Sequence, residues 1–158
     1  MGKIVCFTGH RKVLDSDYDK INSLTYDTVE KQIQNGADIF RAGGAIGFDT
    51  IAALNVLLLR KKYPHIRLEL ILPCPSQTRG WSQNDTVLYE QIRAQADSHR
   101  YISQHYFNGV LQLRNRALVE GADLCIAYLQ DSHGGGAAFT VAHALRQGLE
   151  LINIQDMI

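Results

Sequence analysis

The sequence predicts the α/β class: one doubly wound, mostly parallel sheet of five to six strands with helices on both faces. Three observations carry that expectation. Short apolar runs alternate with longer helical patterns along all 158 residues, and such alternation implies right-handed crossovers into a parallel sheet covered on both sides. No repeat, low-complexity tract or linker interrupts the alternation, and the length suits a single domain over residues 1–158, at roughly 100–200 residues per domain. Hydrophobic residues make up 46% of the chain and charged residues 20%, which supports a core without disulfide or metal staples.

Lys3–Thr8 (KIVCFT) reads as the first strand, ended by Gly9. From about Tyr18 to Asn35, Ile21, Leu24, Val29 and Ile33 recur at amphipathic-helix spacing, and Gly36 stops that helix. Asp38–Ala42 is the second strand, running into Gly43-Gly44, and a strongly apolar helix continues to about Tyr63, where Pro64 ends it. Arg67–Leu72 forms the third strand, terminated by Pro73. Asn84 or Asp85 can cap a helix to about Ala96, and His99–Ser103 reads as a short edge strand. Asn108 opens a helix to about Gly121, Asp123–Leu129 is a core strand, Gly134–Gly136 lead into a helix ending at Gly148, and Leu149–Ile154 closes the sheet. The first strand is expected at the centre, with the second and third to one side and the two C-terminal strands to the other.

Sixteen basic residues balance sixteen acidic ones. Zero net charge counts against a broad electrostatic grip, so nucleic acid is expected to be an unlikely partner and a membrane none. The most apolar uncharged stretch, between Asp49 and Arg60, falls far short of the roughly 18–20 residues a bilayer requires. Residues 4–7 are too few for the apolar region of a signal peptide, and Cys6 stands where a myristoylation pattern needs Ser or Thr. The three cysteines, Cys6, Cys74 and Cys125, are odd in number and widely spaced, so they read as reduced thiols and the protein as cytoplasmic. Six histidines show no metal-ligand spacing, and no cofactor is expected.

In such sheets ligands bind beyond the carboxyl ends of the strands, so the post-strand loops are the place to look. The first reads Thr8-Gly9-His10-Arg11, with a turn-forming glycine beside a permanent cation. The second, Gly43-Gly44-Ala45-Ile46-Gly47-Phe48-Asp49, and the last, Gly134-Gly135-Gly136-Ala137-Ala138-Phe139-Thr140, both run from glycines into a helix whose first N–H groups favour an anion. Neither matches G-x-G-x-x-G or the Walker pattern. Together, with Arg11 and Arg114 available, they point to a nucleotide or sugar phosphate. Asp49 can act as a base, accept from a ribose hydroxyl or cap its helix. Trp81, in the long Pro73–Asn84 loop, can stack on a base or anchor its own loop.

The motifs Thr8-Gly9-His10-Arg11, Gly43-Gly44-Ala45-x-Gly47-x-Asp49, Arg114-Asn115-Arg116 with Gly121-Ala122-Asp123, and the Gly134–Thr140 turn resemble the DprA/LOG-like (SLOG) Rossmann superfamily, most of all its stand-alone YpsA-like branch. The resemblance covers nearly the whole chain and implies a Rossmann-like fold and a nucleotide-type ligand. LOG enzymes cleave the N-glycosidic bond of nucleoside monophosphates, using a turn of the form Pro-Gly-Gly-x-Gly-Thr-x-x-Glu. In that alignment Arg114 matches the family arginine and Gly136 the last glycine. Ala137 replaces the threonine, and Thr140 the catalytic glutamate. Members of the superfamily commonly form dimers, so the resemblance admits a homodimer.

The leading expectation is a sensor or carrier domain that binds a nucleotide or nucleotide-derived small molecule. Thr8, Gly9, His10, Gly43, Gly44, Gly47, Asn115, Gly134, Gly135, Gly136 and Thr140 would cradle it, with charge from Arg11 and Arg114. The first alternative is an N-glycosidase or phosphoribohydrolase with Asp49 as its carboxylate. The second is DprA-like single-stranded DNA binding.

Overall fold

The computed structural model describes residues 2–130 and 135–158. Strands and helices alternate as β1 (Lys3–Gly9), α1 (Asp15–Gln34), β2 (Ala37–Ala42), α2 (Phe48–Lys62), β3 (Arg67–Leu72) and α3 (Gln83–Gln95). The chain continues through β4 (Ser98–Tyr101), α4 (Val110–Val119), β5 (Leu124–Tyr128), α5 (Gly135–Arg146) and β6 (Glu150–Asn153). All strand pairs are parallel, in the order β4-β3-β2-β1-β5-β6. This is the expected Rossmann-like arrangement, with β1 central and β4 at one edge.

The strand order explains the burial. In β1, Val5 and Phe7 join the core under α1 and α2, whereas Cys6 between them joins the core under α4 and α5. Successive side chains of a strand point to opposite faces, and both faces here are covered, so the strand reads as an unbroken apolar run. The α1–α2 side holds the bulky rings: Phe7 stacks on Phe40 at 6.0 Å and meets Phe48 edge-on at 6.5 Å. The other side holds small groups, among them Cys6, Cys125, Ala127 and Ala144, which lets α4 and α5 lie close. All three cysteines are free and buried.

Several element ends differ from expectation, each for a local reason. α1 begins at Asp15 because its first turn is polar: Asp15 and Asp17 suit the positive end of the helix dipole but add nothing to the apolar period. The cap of α3 is Ser82, whose hydroxyl accepts from the Asp85 N–H at 3.1 Å; Asn84 and Asp85 lie inside the first turn. β4 starts one residue earlier than predicted, and the Ile102 and Ser103 N–H groups still donate to the carbonyls of Leu72 and Pro73 at 2.8 and 3.0 Å. Among the described residues no helix is long and apolar enough to cross a membrane.

β1 and β5 are neighbours, yet the chain leaves β1 toward α1 and β5 toward α5, on opposite faces. The loops diverge there and open a crevice at the carboxyl edge, the switch point where α/β sheets take ligands.

Candidate functional site

At that crevice the ends of β1 and β2, the inner face of α4 and the start of α5 enclose a cleft of about 350 Å³. β1 and its loop supply Thr8, Gly9, His10 and Arg11; the loop and first turn of α2 supply Ala45 and Asp49; α5 supplies Gly135, Gly136 and Ala137. α4 supplies Leu111, Arg114, Asn115 and Leu118, spaced i, i+3, i+4 and i+7 on one helix face. That spacing was the available signal that Arg114 points inward rather than into solvent.

Arg114 is only 5% exposed. Its guanidinium donates through Nη1 to the Gly43 carbonyl, and its Nε donates to Asn115 Oδ1 at 2.8 Å. Gly43 eases this approach, since a Cβ there would stand 2.9 Å from Arg114 Nη1 and push the guanidinium aside. Among the described residues no carboxylate lies within ion-pair distance of Arg114. Burial pulls its pKa down, the Asp49 charge opposes that, and the Arg11 charge reinforces it. A guanidinium nevertheless stays protonated in a protein, so the fold holds a nearly buried cation at the wall of a polar cleft.

Asp49 faces the same cleft and is 6% exposed. It is not the cap of α2, a position Gly47 occupies; its carboxylate accepts from the Ala45 N–H at 3.3 Å and so ties down the preceding loop. Burial raises its pKa above the ordinary 3.8, against the lowering influence of Arg114, the Ala45 N–H and Arg11. A raised folded-state pKa means that the proton is bound more tightly in the folded protein. This stabilisation is complete below the unfolded value and is lost as pH rises through the folded one. Asp49→Asn is therefore expected to raise the melting temperature at neutral pH, by about 2–4 °C per kcal/mol of burial cost relieved. The gain should shrink as the solution is acidified past the folded-state pKa, and melts recorded across pH would show it; a difference independent of pH would refute this account.

The glycines divide into two groups. Gly9 and Gly47 serve close approach of chain to chain: a Cβ on Gly9 would meet the Phe48 ring at 2.5 Å, and one on Gly47 the Arg11 carbonyl oxygen at 2.2 Å. Gly44 lies against Leu72, away from the cleft. Gly135 and Gly136 line the cleft where the first turn of α5 leaves N–H groups without helical partners. Gly134 lies outside the described residues. His10 accepts from the Gln130 N–H at Nε2 over 2.9 Å, so its proton sits on Nδ1, and its ring stands edge-on to Tyr128. It orders the path that leaves β5.

Other expected residues are placed elsewhere. Thr140 is fully buried and its hydroxyl donates to the Gly136 carbonyl at 2.9 Å, one turn back along α5, so it does not reach the cleft. Asp123, part of the family-like segment, accepts from the Ile4 N–H at 2.8 Å at the amino edge of the sheet. Trp81 stands edge-on to Tyr89, ring centroids 5.6 Å apart, and lines a neighbouring cavity rather than the cleft itself. Leu111 and Ala45 were not anticipated in the cleft wall; they are apolar and carry no chemical signature. Among the described residues no group of His, Cys, Asp and Glu gathers that could hold a metal ion.

A model of the YspA SLOG family matches residues 5–155 of this chain. A UPF0398 protein of Bacillus pumilus is 27% identical over 151 residues, 90% of this chain and 81% of that protein. One from Levilactobacillus brevis is 30% identical over 93 residues, 56% of this chain and 49% of its own length, so the match spans about half of that relative. Among solved structures, DNA processing protein A from Helicobacter pylori, described for its single-stranded DNA binding mode, superposes with a TM-score of 0.65. That likeness runs at 20% identity over 94% of this chain and 63% of the other, and it shows the shared fold. It also corrects one expectation. Nucleic acid was set aside as an unlikely partner because the net charge is zero, but a chain of this architecture is described as binding single-stranded DNA. Net charge averages over the whole surface and does not report the local cations, such as Arg11 and Arg114 at the cleft.

Proposed function

The chain belongs to the YspA SLOG family, and from that premise we propose that the carboxyl-edge cleft binds the phosphate of a nucleotide or nucleotide-derived ligand. The observation that carries the proposal is Arg114, a nearly buried guanidinium with no carboxylate partner among the described residues, facing the first turn of α5 across the cleft. Its charge, hydrogen-bonded to the Gly43 carbonyl and Asn115 and opposed at a distance by Asp49, still favours an anion in the cleft. Helix N–H groups add directional donors for phosphate oxygens. Asp49 would accept from a ribose hydroxyl, and among the described residues it is the carboxylate of this cleft on which a glycosidic cleavage would depend.

The test compares nucleoside 5′-monophosphates with the matching nucleosides in thermal melts. A nucleotide at a hundred times its Kd should stabilise by about 2.7 kcal/mol, while the nucleoside at the same concentration does little. Equal shifts from both, or none from either, would overturn the phosphate reading.

A single DNA strand is the second reading, favoured by the likeness to DNA processing protein A. Its phosphates would use the same donors. Affinity that falls with salt at a slope of about −0.7 per phosphate neutralised marks a strand gripped at several phosphates.

A further inference from the structure

Beside the cleft lies a second cavity of about 400 Å³, formed where the loop after β3 faces the approach to α4. Arg11 and Leu111 line both cavities, so the two spaces share a wall. We propose that the second cavity is a nucleotide subsite in its own right, and that the protein takes two linked nucleotide units with Arg11 at the phosphate between them. This rests on the reading of the first cleft as a phosphate site.

The chemistry of the lining supports it. Trp81 is partly buried and steadied by its edge-on contact with Tyr89 at an interplanar angle of 87°, while Tyr106 is 61% exposed at the rim. Two guanidinium groups, Arg11 and Arg79, line the same space, and among the described residues no acidic side chain does. Aromatic faces interleaved with arginine are what stacked bases and their phosphodiesters require. Gln77 adds a polar contact. Its Nε2 donates at 3.4 Å to the Gly43 carbonyl, the same oxygen that receives Arg114, and its Oε1 is buried without a partner among the described residues. The Gly43 carbonyl therefore joins the two cavities through one hydrogen-bonded atom.

Free dinucleotides and a single DNA strand present this same chemistry, and one experiment separates them. Trp81 is the only tryptophan, so its fluorescence reports on the second cavity alone. The full chain is titrated with thymidine 5′-monophosphate, a 5′-phosphorylated dithymidine dinucleotide and a long oligodeoxythymidylate. The dinucleotide should quench Trp81 and bind more tightly than the monophosphate, by about five- to a hundredfold for one stacked base. Tyr106→Ala and Arg79→Ala, both at exposed positions, should weaken the dinucleotide severalfold and leave the monophosphate unchanged. An oligomer that matches the dinucleotide supports the subsite with free dinucleotides as its ligands. One that binds more tightly, with a steep salt dependence, supports it with a strand. If the monophosphate stabilises the protein but the dinucleotide neither quenches Trp81 nor gains affinity, the second subsite is overturned and the phosphate cleft stands. If no nucleotide binds at all, both are overturned.

Discussion

Gly47→Ala is expected to destabilise the protein by about 3 kcal/mol or more, lowering its melting temperature by about 6–12 °C at the usual 2–4 °C per kcal/mol for a chain of this size. Gly47 has φ 81° and ψ −127°, a backbone conformation that L side chains rarely adopt. Left-handed φ alone costs roughly 1–2 kcal/mol. The new methyl would also sit 2.2 Å from the Arg11 carbonyl oxygen and 2.6 Å from that of His10, both main-chain atoms that no rotamer change can move aside. Relieving the clash must push the β1 loop off α2 and break the Phe48 N–H bond to the His10 carbonyl, now 3.0 Å. Overpacking of this kind adds roughly 1–3 kcal/mol. Calorimetry is the direct check, and a melting temperature within about 2 °C of the parent would contradict this account of the loop. Because the same displacement moves His10 and Arg11, ligand affinity should fall with stability.

Arg114→Ala is expected to weaken nucleotide binding by about ten- to a hundredfold, the loss that corresponds to roughly 1.5–3 kcal/mol for a charge-assisted hydrogen bond. Arg114→Lys should recover only part of it, since an ammonium keeps the charge but cannot reach the Gly43 carbonyl, Asn115 and a phosphate with one planar fork. The alanine variant also leaves space beside Leu118, so it should melt lower. Binding is therefore compared at a temperature where circular dichroism shows both variants folded. Unchanged affinity in Arg114→Ala would mean that the buried guanidinium only braces the Gly43 turn.

Much of the fold was legible in the sequence because its signals are local. The apolar runs KIVCFT and RLELIL and the stops at Gly36, Pro64 and Pro73 depend on a few consecutive residues, and α/β topology leaves little freedom once the alternation is seen. The polar first turn of α1 and the Ser82 cap were misplaced for the same reason: they lie outside the apolar period used to find the helices. In the site, the loop motifs located the carboxyl edge, and resemblance rather than pattern singled out Arg114. Thr140 shows the limit of motif alignment, since a hydroxyl in the right place in sequence is turned into the core by the helix that carries it.

By itself the sequence determined the class of fold, the central place of the first strand and the edge at which a ligand would be sought. Only the tertiary structure decided what the polar residues there do. It buried Arg114 against a carbonyl from a loop 71 residues away in the chain, raised the pKa of Asp49 by burial, and set Gly9 and Gly47 to packing strands and helices together. It also set Trp81 beside Arg11 in a second cavity. The reason is physical: helix and strand periodicity arise from neighbours along the chain, whereas burial, electrostatic environment and cavity shape arise from neighbours in space. A neutral sum over 158 residues therefore carried no information about the field at one cleft.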